Sequence, residues 1–156
     1  MKAFKTVKFD TVLKRLHEVA SIREKELNED TLIYNANMTE MKPEVGHQLP
    51  IEMYREGYEY YVETHFHPNS HSCFLQRNLM DLMVYDPVQF MYLLDQPLLM
   101  MVGDHADTNY MSEQAFELAI TTKEKELYYL KDATHIQTYY KESVVKEAIE
   151  KLRYIL

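Results

Sequence analysis

Only three glycines, Gly46, Gly57 and Gly103, occur in 156 residues. Loops that cradle phosphates, and sharp strand-to-helix turns, spend glycine where a Cβ would collide. Three scattered glycines form neither a P-loop nor a dinucleotide fingerprint. No two of them flank a serine, so the Gly-x-Ser-x-Gly turn that presents a nucleophilic hydroxyl is missing as well. Cysteine is nearly absent: Cys73 stands alone, which excludes an internal disulfide and suits a reducing cytoplasm. Tryptophan is absent altogether. Basic residues are in deficit, 17 Lys and Arg against 25 Asp and Glu, for a net charge of −8. With no basic patch, nucleic acid is not an expected partner. No apolar run approaches the ~20 residues that span a bilayer, and Met1-Lys2-Ala3-Phe4-Lys5 leads into no signal-peptide apolar stretch. The expectation is a soluble cytoplasmic protein with no membrane partner and no cofactor.

What is present is a globular composition, 46% hydrophobic and 27% charged, with 13 Tyr and 10 Met. That length and that apolar content fit a single domain over 1–156 with a real core. The Tyr and Met stripes read as core or interface.

Residues 1–9 alternate weakly through Phe4, Val7 and Phe9, predicting a short strand or an arm. Asp10-Thr11 offers an N-cap. A helix to about Asn28 should follow, with Val12, Leu13, Leu16, Val19, Ala20 and Leu27 keeping its period. The charged stretch 21–30 reads as a solvated helix end. Residues 31–50 hold Asn35, Asn37, Pro43, Gly46 and Pro50, turn chemistry without periodicity. A helix with a stripe of Tyr54, Tyr58 and Tyr61 is expected over 51–64, broken at His67-Pro68-Asn69-Ser70. Another is expected over 72–84, and a short one from Asp86-Pro87 to about Leu94. Residues 1–95 thus read as mainly helical and cap-like.

The remainder, 96–156, reads as a βαβα unit. Leu98–Val102 and Glu126–Leu130 are buried-strand patterns. Ser112 is placed to cap a helix over 113–120. A final helix from about Lys141 to Tyr154 is expected, with Val144, Val145, Ala148, Ile149, Leu152 and Ile155 on one stripe. A strand–helix–strand unit implies parallel pairing with a right-handed crossover. Parallel strands need neighbours and cover on both faces, and two strands are few for such a sheet.

Each strand delivers chemistry at its carboxyl end, where open α/β sheets place their sites. The first leads into Asp104-His105-Ala106-Asp107-Thr108, the second into Lys131-Asp132-Ala133-Thr134-His135. Acid then histidine is the closing order of a Ser, Asp, His triad. Either Asp104 or Asp107 could be the acid, and an ordinary capping Asp with a surface His is the plain structural alternative.

Several stretches together carry a family resemblance. They are Tyr58-Glu59-Tyr60-Tyr61, His67-Pro68-Asn69-Ser70, Gln96-Pro97-Leu98-Leu99 with Gly103, Ala106-Asp107-Thr108, Ser112-Glu113, Ala133-Thr134-His135, and Val145 through Leu152. In this order they resemble the C-terminal half of bacterial α/β hydrolases of the dienelactone-hydrolase-like kind. The resemblance covers about two thirds of the chain. It implies a partial α/β-hydrolase fold with a small parallel sheet flanked by helices. It further implies Asp107 as the triad acid and His135 as the base. The family's N-terminal half, with its first strands, oxyanion loop and nucleophile elbow, has no counterpart here. The expectation is a truncated hydrolase relative, inactive alone. It would hydrolyse esters or lactones only with a complementing N-terminal half encoded upstream.

Two other classes compete. A non-enzymatic assembly or binding protein would use the residual hydrolase half as a surface, and the incomplete sheet predicts a homodimer. A metal-binding protein would use His65, His67 and His71, an H-x-H-x3-H spacing with ligand-type side chains, though Pro68 interrupts any regular element there. Cys73, entering an apolar helix face, reads as buried and inert.

Overall fold

The computed structural model describes residues 9–153. They divide into two compact units, each drawn from two stretches of the chain. One unit takes the described residues up to Met41 together with His71–Tyr85. The other takes Lys42–Ser70 and the described residues from Asp86 onward.

The first unit is built on α1, Phe9–Glu29. Asp10 lies inside this helix, so it is not the cap, and the strand or arm expected over residues 1–9 falls outside the described residues apart from helical Phe9. Val19 is the buried knob of the helix at 1% exposure, whereas Leu27 of the expected stripe stays exposed. The helix stops where Asp30 takes a left-handed φ of 45°, a conformation Asp tolerates better than most residues. The charged end is not wholly solvated: Glu26 is buried. Its Oε1 accepts the backbone N–H of Ile33 at 2.8 Å, and its Oε2 lies 3.4 Å from Arg77.

The helix expected over 72–84 does not form as one piece. Residues 72–74 have no regular structure, and extended Leu75 pairs antiparallel with Tyr34 in an isolated bridge. A 3-10 turn, Gln76–Asn78, follows, and only Leu79–Val84 is α-helical (α4). The physical reason is competition from Asn and Ser side chains, brought in from distant parts of the chain, for backbone groups. The Asn35 amide donates to Ser72 O at 3.1 Å, and the Ser72 hydroxyl accepts Met38 N–H at 2.7 Å. Those bonds hold residues 72–74 out of a helix. They also leave Cys73 exposed, not buried as expected.

In the second unit, α2 (Pro43–Gly46) and α3 (Glu52–Tyr58) lead into a π-helical turn over Glu59–Thr64. Tyr58 alone of the expected tyrosine stripe is buried, while Tyr54 and Tyr61 are exposed. Gly46 is needed beside it, because a Cβ there would sit 2.6 Å from the Tyr58 ring. Residues Pro87–Leu93 form a 3-10 helix whose Asp86 cap accepts Val88 N–H at 3.1 Å.

The β–α–β unit is present as expected. Strands β1 (Leu98–Gly103) and β2 (Lys125–Leu130) are parallel, in register from Leu98 opposite Lys125 to Gly103 opposite Leu130. Between them α5, Asn109–Leu118, packs on both strands. It begins earlier than expected, and Ser112 lies inside it instead of capping it. The short α6 (Gln137–Tyr140) and the long α7 (Glu142–Arg153) follow. Leu130, Ala133 and Val144 form the buried core, with Met101, Tyr128 and Ala148 packed against them. Helix α7 places Glu142 in its first turn and Lys151 and Arg153 in its last, the arrangement the macrodipole favours. Among the described residues the sheet has two strands, so the architecture is mixed helix with a small parallel α/β unit. No helix among them is long and apolar enough to cross a membrane.

Candidate active site

The turns after β1 and β2 are bonded into one block. Asp104 N–H reaches Leu130 O and His105 N–H reaches Ala133 O, both at 3.0 Å. The Asp104 carboxylate accepts Ala133 N–H at 3.2 Å. Asp132 supplies the left-handed residue of the second turn, with φ 51°. Gly103 makes this approach possible: a Cβ there would fall on the Ala133 carbonyl oxygen, well inside contact distance. Burial works to raise the Asp104 carboxyl. Donation from the Ala133, Asp132 and His105 backbone, with the nearby His105 ring, outweighs burial and holds it below the ordinary carboxylate range. Asp104 is therefore a structural clamp.

Two residues past Ala133, His135 enters a cleft of roughly 420 Å³ at the carboxyl ends of the strands. Met53, Met101, Met111, Ser112 and Tyr139 share the lining. Both ring nitrogens of His135 meet hydroxyls. Nδ1 lies 3.2 Å from Thr108 Oγ1, and Nε2 lies 2.6 Å from the Tyr139 phenol. Thr108 is the residue before α5 and makes no side-chain cap there, which leaves its hydroxyl for the imidazole. Tyr139 follows His135 by four residues, in the short α6 that begins at Gln137. Burial first, then the Tyr61 and Tyr60 phenols, push the Tyr139 phenol above its ordinary value.

Asp107 adjoins Thr108 but does not bond His135. Its carboxylate accepts the Met53 N–H at 3.3 Å, at the N-terminal turn of α3. The cap residue of that helix, Ile51, offers no side-chain acceptor, so Asp107 supplies from outside the acceptor and negative charge that a helix start favours. The positions of His135 and Asp107, after the two strands, were legible from the strand ends. Thr108 and Tyr139 were missed; the available signals were adjacency to Asp107 and the four-residue step from His135.

Two histidines of the H-x-H-x3-H pattern have separate engagements, and the third belongs to a different unit. His65 Nδ1 meets the Thr64 hydroxyl at 2.8 Å, and the ring stacks on Tyr60 with centroids 4.4 Å apart. His67 Nδ1 accepts Asn69 N–H at 3.1 Å. His71 belongs to the other compact unit. Among the described residues the cluster with metal-type geometry is instead Asp104, His105 and Asp132, where Asp104 is already committed to backbone donors.

The fold is similar to the crystal structure of hypothetical protein PA2218 from Pseudomonas aeruginosa, with a TM-score of 0.74 at 20% identity. The match covers 94% of this chain and 46% of that one. The chain thus spans about half the length of that structure, and at this identity the likeness concerns fold alone. No protein-family model matches the chain, and no curated protein matches it.

Proposed function

We propose that this chain carries the acid-and-histidine part of a serine-hydrolase site of the dienelactone-hydrolase-like kind. In this reading it is inactive toward esters by itself. It gains ester or lactone hydrolysis when an N-terminal half brings the nucleophile. The observation that supports this best is His135 in a cleft at the carboxyl end of a parallel strand pair, with Asp107 one residue from the hydroxyl on Nδ1. In the completed site the imidazole Nε2 takes the serine proton as its oxygen attacks the acyl carbon, then returns it to the leaving alkoxide. Asp107 would leave the Met53 N–H for Nδ1 and hold the tautomer. The cleft does contain a serine, Ser112. It is the fourth residue of α5, on a helix and not on the glycine-flanked strand-to-helix turn that presents a hydrolase nucleophile.

The experiment is p-nitrophenyl acetate and butyrate turnover by the purified chain, by Ser112→Ala and by His135→Ala. All three should match the buffer background, since losing the nucleophile is among the most damaging changes to a triad. Co-expression with an N-terminal half bearing Gly-x-Ser-x-Gly should then give turnover that His135→Ala abolishes. Turnover by the chain alone that His135→Ala removes would overturn the incomplete-site reading, as would no gain on complementation.

A second reading, assembly as a homodimer, is supported by the two-stranded sheet and by the exposed apolar side chains Leu93, Leu118 and Ile120 of the same unit. Two-stranded sheets are marginal alone, and strand edges invite pairing with another chain. Light scattering after size exclusion at micromolar concentration checks it, and a monomer of 18.7 kDa would refute it.

A further inference from the structure

The contact between Tyr139 and His135 has a consequence beyond packing. Nε2 is the nitrogen that a hydrolase base must present to its nucleophile, and here a phenol 2.6 Å away already occupies it. We propose that Tyr139 is a latch on His135, covering Nε2 in the isolated chain and swinging aside when a nucleophile-bearing segment docks. Its purpose rests on the hydrolase reading above; its existence rests on the geometry of this chain.

The directions of the hydrogen bonds follow from the protons. A phenol O–H is a stronger donor than an aliphatic hydroxyl, and its 2.6 Å contact with Nε2 is shorter than the 3.2 Å contact of Thr108 with Nδ1, so the phenol is assigned as the donor. Nε2 then accepts, and the ring proton sits on Nδ1, facing Thr108 Oγ1 at 3.2 Å. This is the tautomer a triad base works in. The latch therefore covers the imidazole without mis-setting it, and release alone exposes a lone pair ready to take a proton.

Movement is available to the latch. The Tyr139 side chain is 44% exposed and stands in a helix of four residues, Gln137–Tyr140, which ends in the extended residue Lys141. Tyr60, in the π-helical turn, packs edge-on against Tyr139 at 5.8 Å and stacks on Tyr140 at 5.3 Å. Such turns inside helices are frequent at functional sites. A segment entering the cleft can displace the phenol by a side-chain rotation without moving the β1–β2 block.

Site-resolved carbethoxylation tests the latch without any hydrolase activity. The probe is diethyl pyrocarbonate on the intact chain, read by peptide mass spectrometry with exposed His67 as internal reference. The free Nε2 attacks one anhydride carbonyl, an N–C bond forms, and ethyl carbonate leaves to give ethanol and carbon dioxide. Tyr139→Phe keeps the ring and removes only the hydroxyl. It should raise the His135 rate about fivefold, the size expected for removing one hydrogen bond, and leave His67 unchanged. A folded Tyr139→Phe chain with an unaltered His135 rate overturns the proposal. Ring nitrogen NMR of the wild-type chain gives a check free of any variant: Nδ1 protonated and Nε2 accepting supports the latch, and the opposite tautomer overturns it. A latch confirmed by these readouts, with no turnover on complementation, would remove the hydrolase reading and leave the latch standing.

Discussion

The unit built on α1 is stitched mainly by polar side chains, whereas the unit built on β1, α5 and β2 adds to such bonds a register of paired strands and an apolar cluster. In the first, Asn35 and Ser72 bind backbone groups far along the chain, and Glu26 binds the Ile33 N–H just past the end of its own helix. Arg23 donates to Arg77 O at 3.0 Å and pairs with Asp81 at 3.1 Å. In the second, the strand register and the cluster of Leu130, Ala133 and Val144 set the shape. A polar stitch fixes geometry at small net gain, because each bond made replaces one to water. Apolar burial contributes about 1.5–3 kcal/mol per large side chain and little direction. The two units should therefore respond to mutation on different scales.

The largest response is expected at Gly103. A Val there must displace the Ala133 carbonyl, which is backbone and cannot rotate aside. Gly103→Val should cost about 3 kcal/mol or more, seen as a lower urea midpoint or loss of soluble protein. A near-native midpoint would mean that the two strand-end turns are not locked together. Next comes Val144→Ala in α7. Val144 is 1% exposed, and the lost methyls with the residual cavity should cost about 2 kcal/mol.

The same comparison explains which elements were legible. Over 98–153, hydrophobic period and element agree: β1, β2 and α7 lie close to where the pattern puts them, since each has an apolar face against the same small core. The pattern over 72–84 misleads. Phe74, Leu75, Leu79, Leu82 and Met83 have helical spacing, yet the deciding interactions come from Asn35 and Ser72, and no local window holds both. The site divides in the same way. His135 at a strand end follows from chain order. The bond from Asp107 to α3 does not, because it depends on a helix 54 residues away whose own cap residue is Ile51.

Within the polar unit, Glu26 sharpens the contrast. Its side chain is 4% exposed while that of Arg77 is 43% exposed, so the backbone bond to Ile33 should matter more than the ion pair. Glu26→Ala leaves the Ile33 N–H without its acceptor and should cost about 1.5 kcal/mol. Glu26→Gln keeps an acceptor and should cost about half as much. Equal losses in the two variants, measured by urea denaturation, would assign the stability to charge and defeat the stitching account.

The smallest effect is expected at Asp104, and pH separates it from the others. Its folded carboxyl lies below the ordinary value, against the pull of burial, because backbone N–H groups and His105 favour the charged form. A depressed folded value means that the unfolded chain takes up the proton first. The stabilisation is therefore complete above the unfolded pKa of about 3.9 and fades as pH falls through the lower folded one. Asp104→Asn keeps one oxygen as acceptor for Ala133 N–H, so only the charge-dependent part is lost. The gap in urea midpoint between wild type and Asp104→Asn should be small and constant from pH 7 to pH 5, then shrink toward pH 3. Gly103→Val and Val144→Ala should keep their gaps throughout, since neither removes a titrating group. An Asp104→Asn gap that persists unchanged at pH 3 would show that the turn uses the shape of the side chain and not its charge.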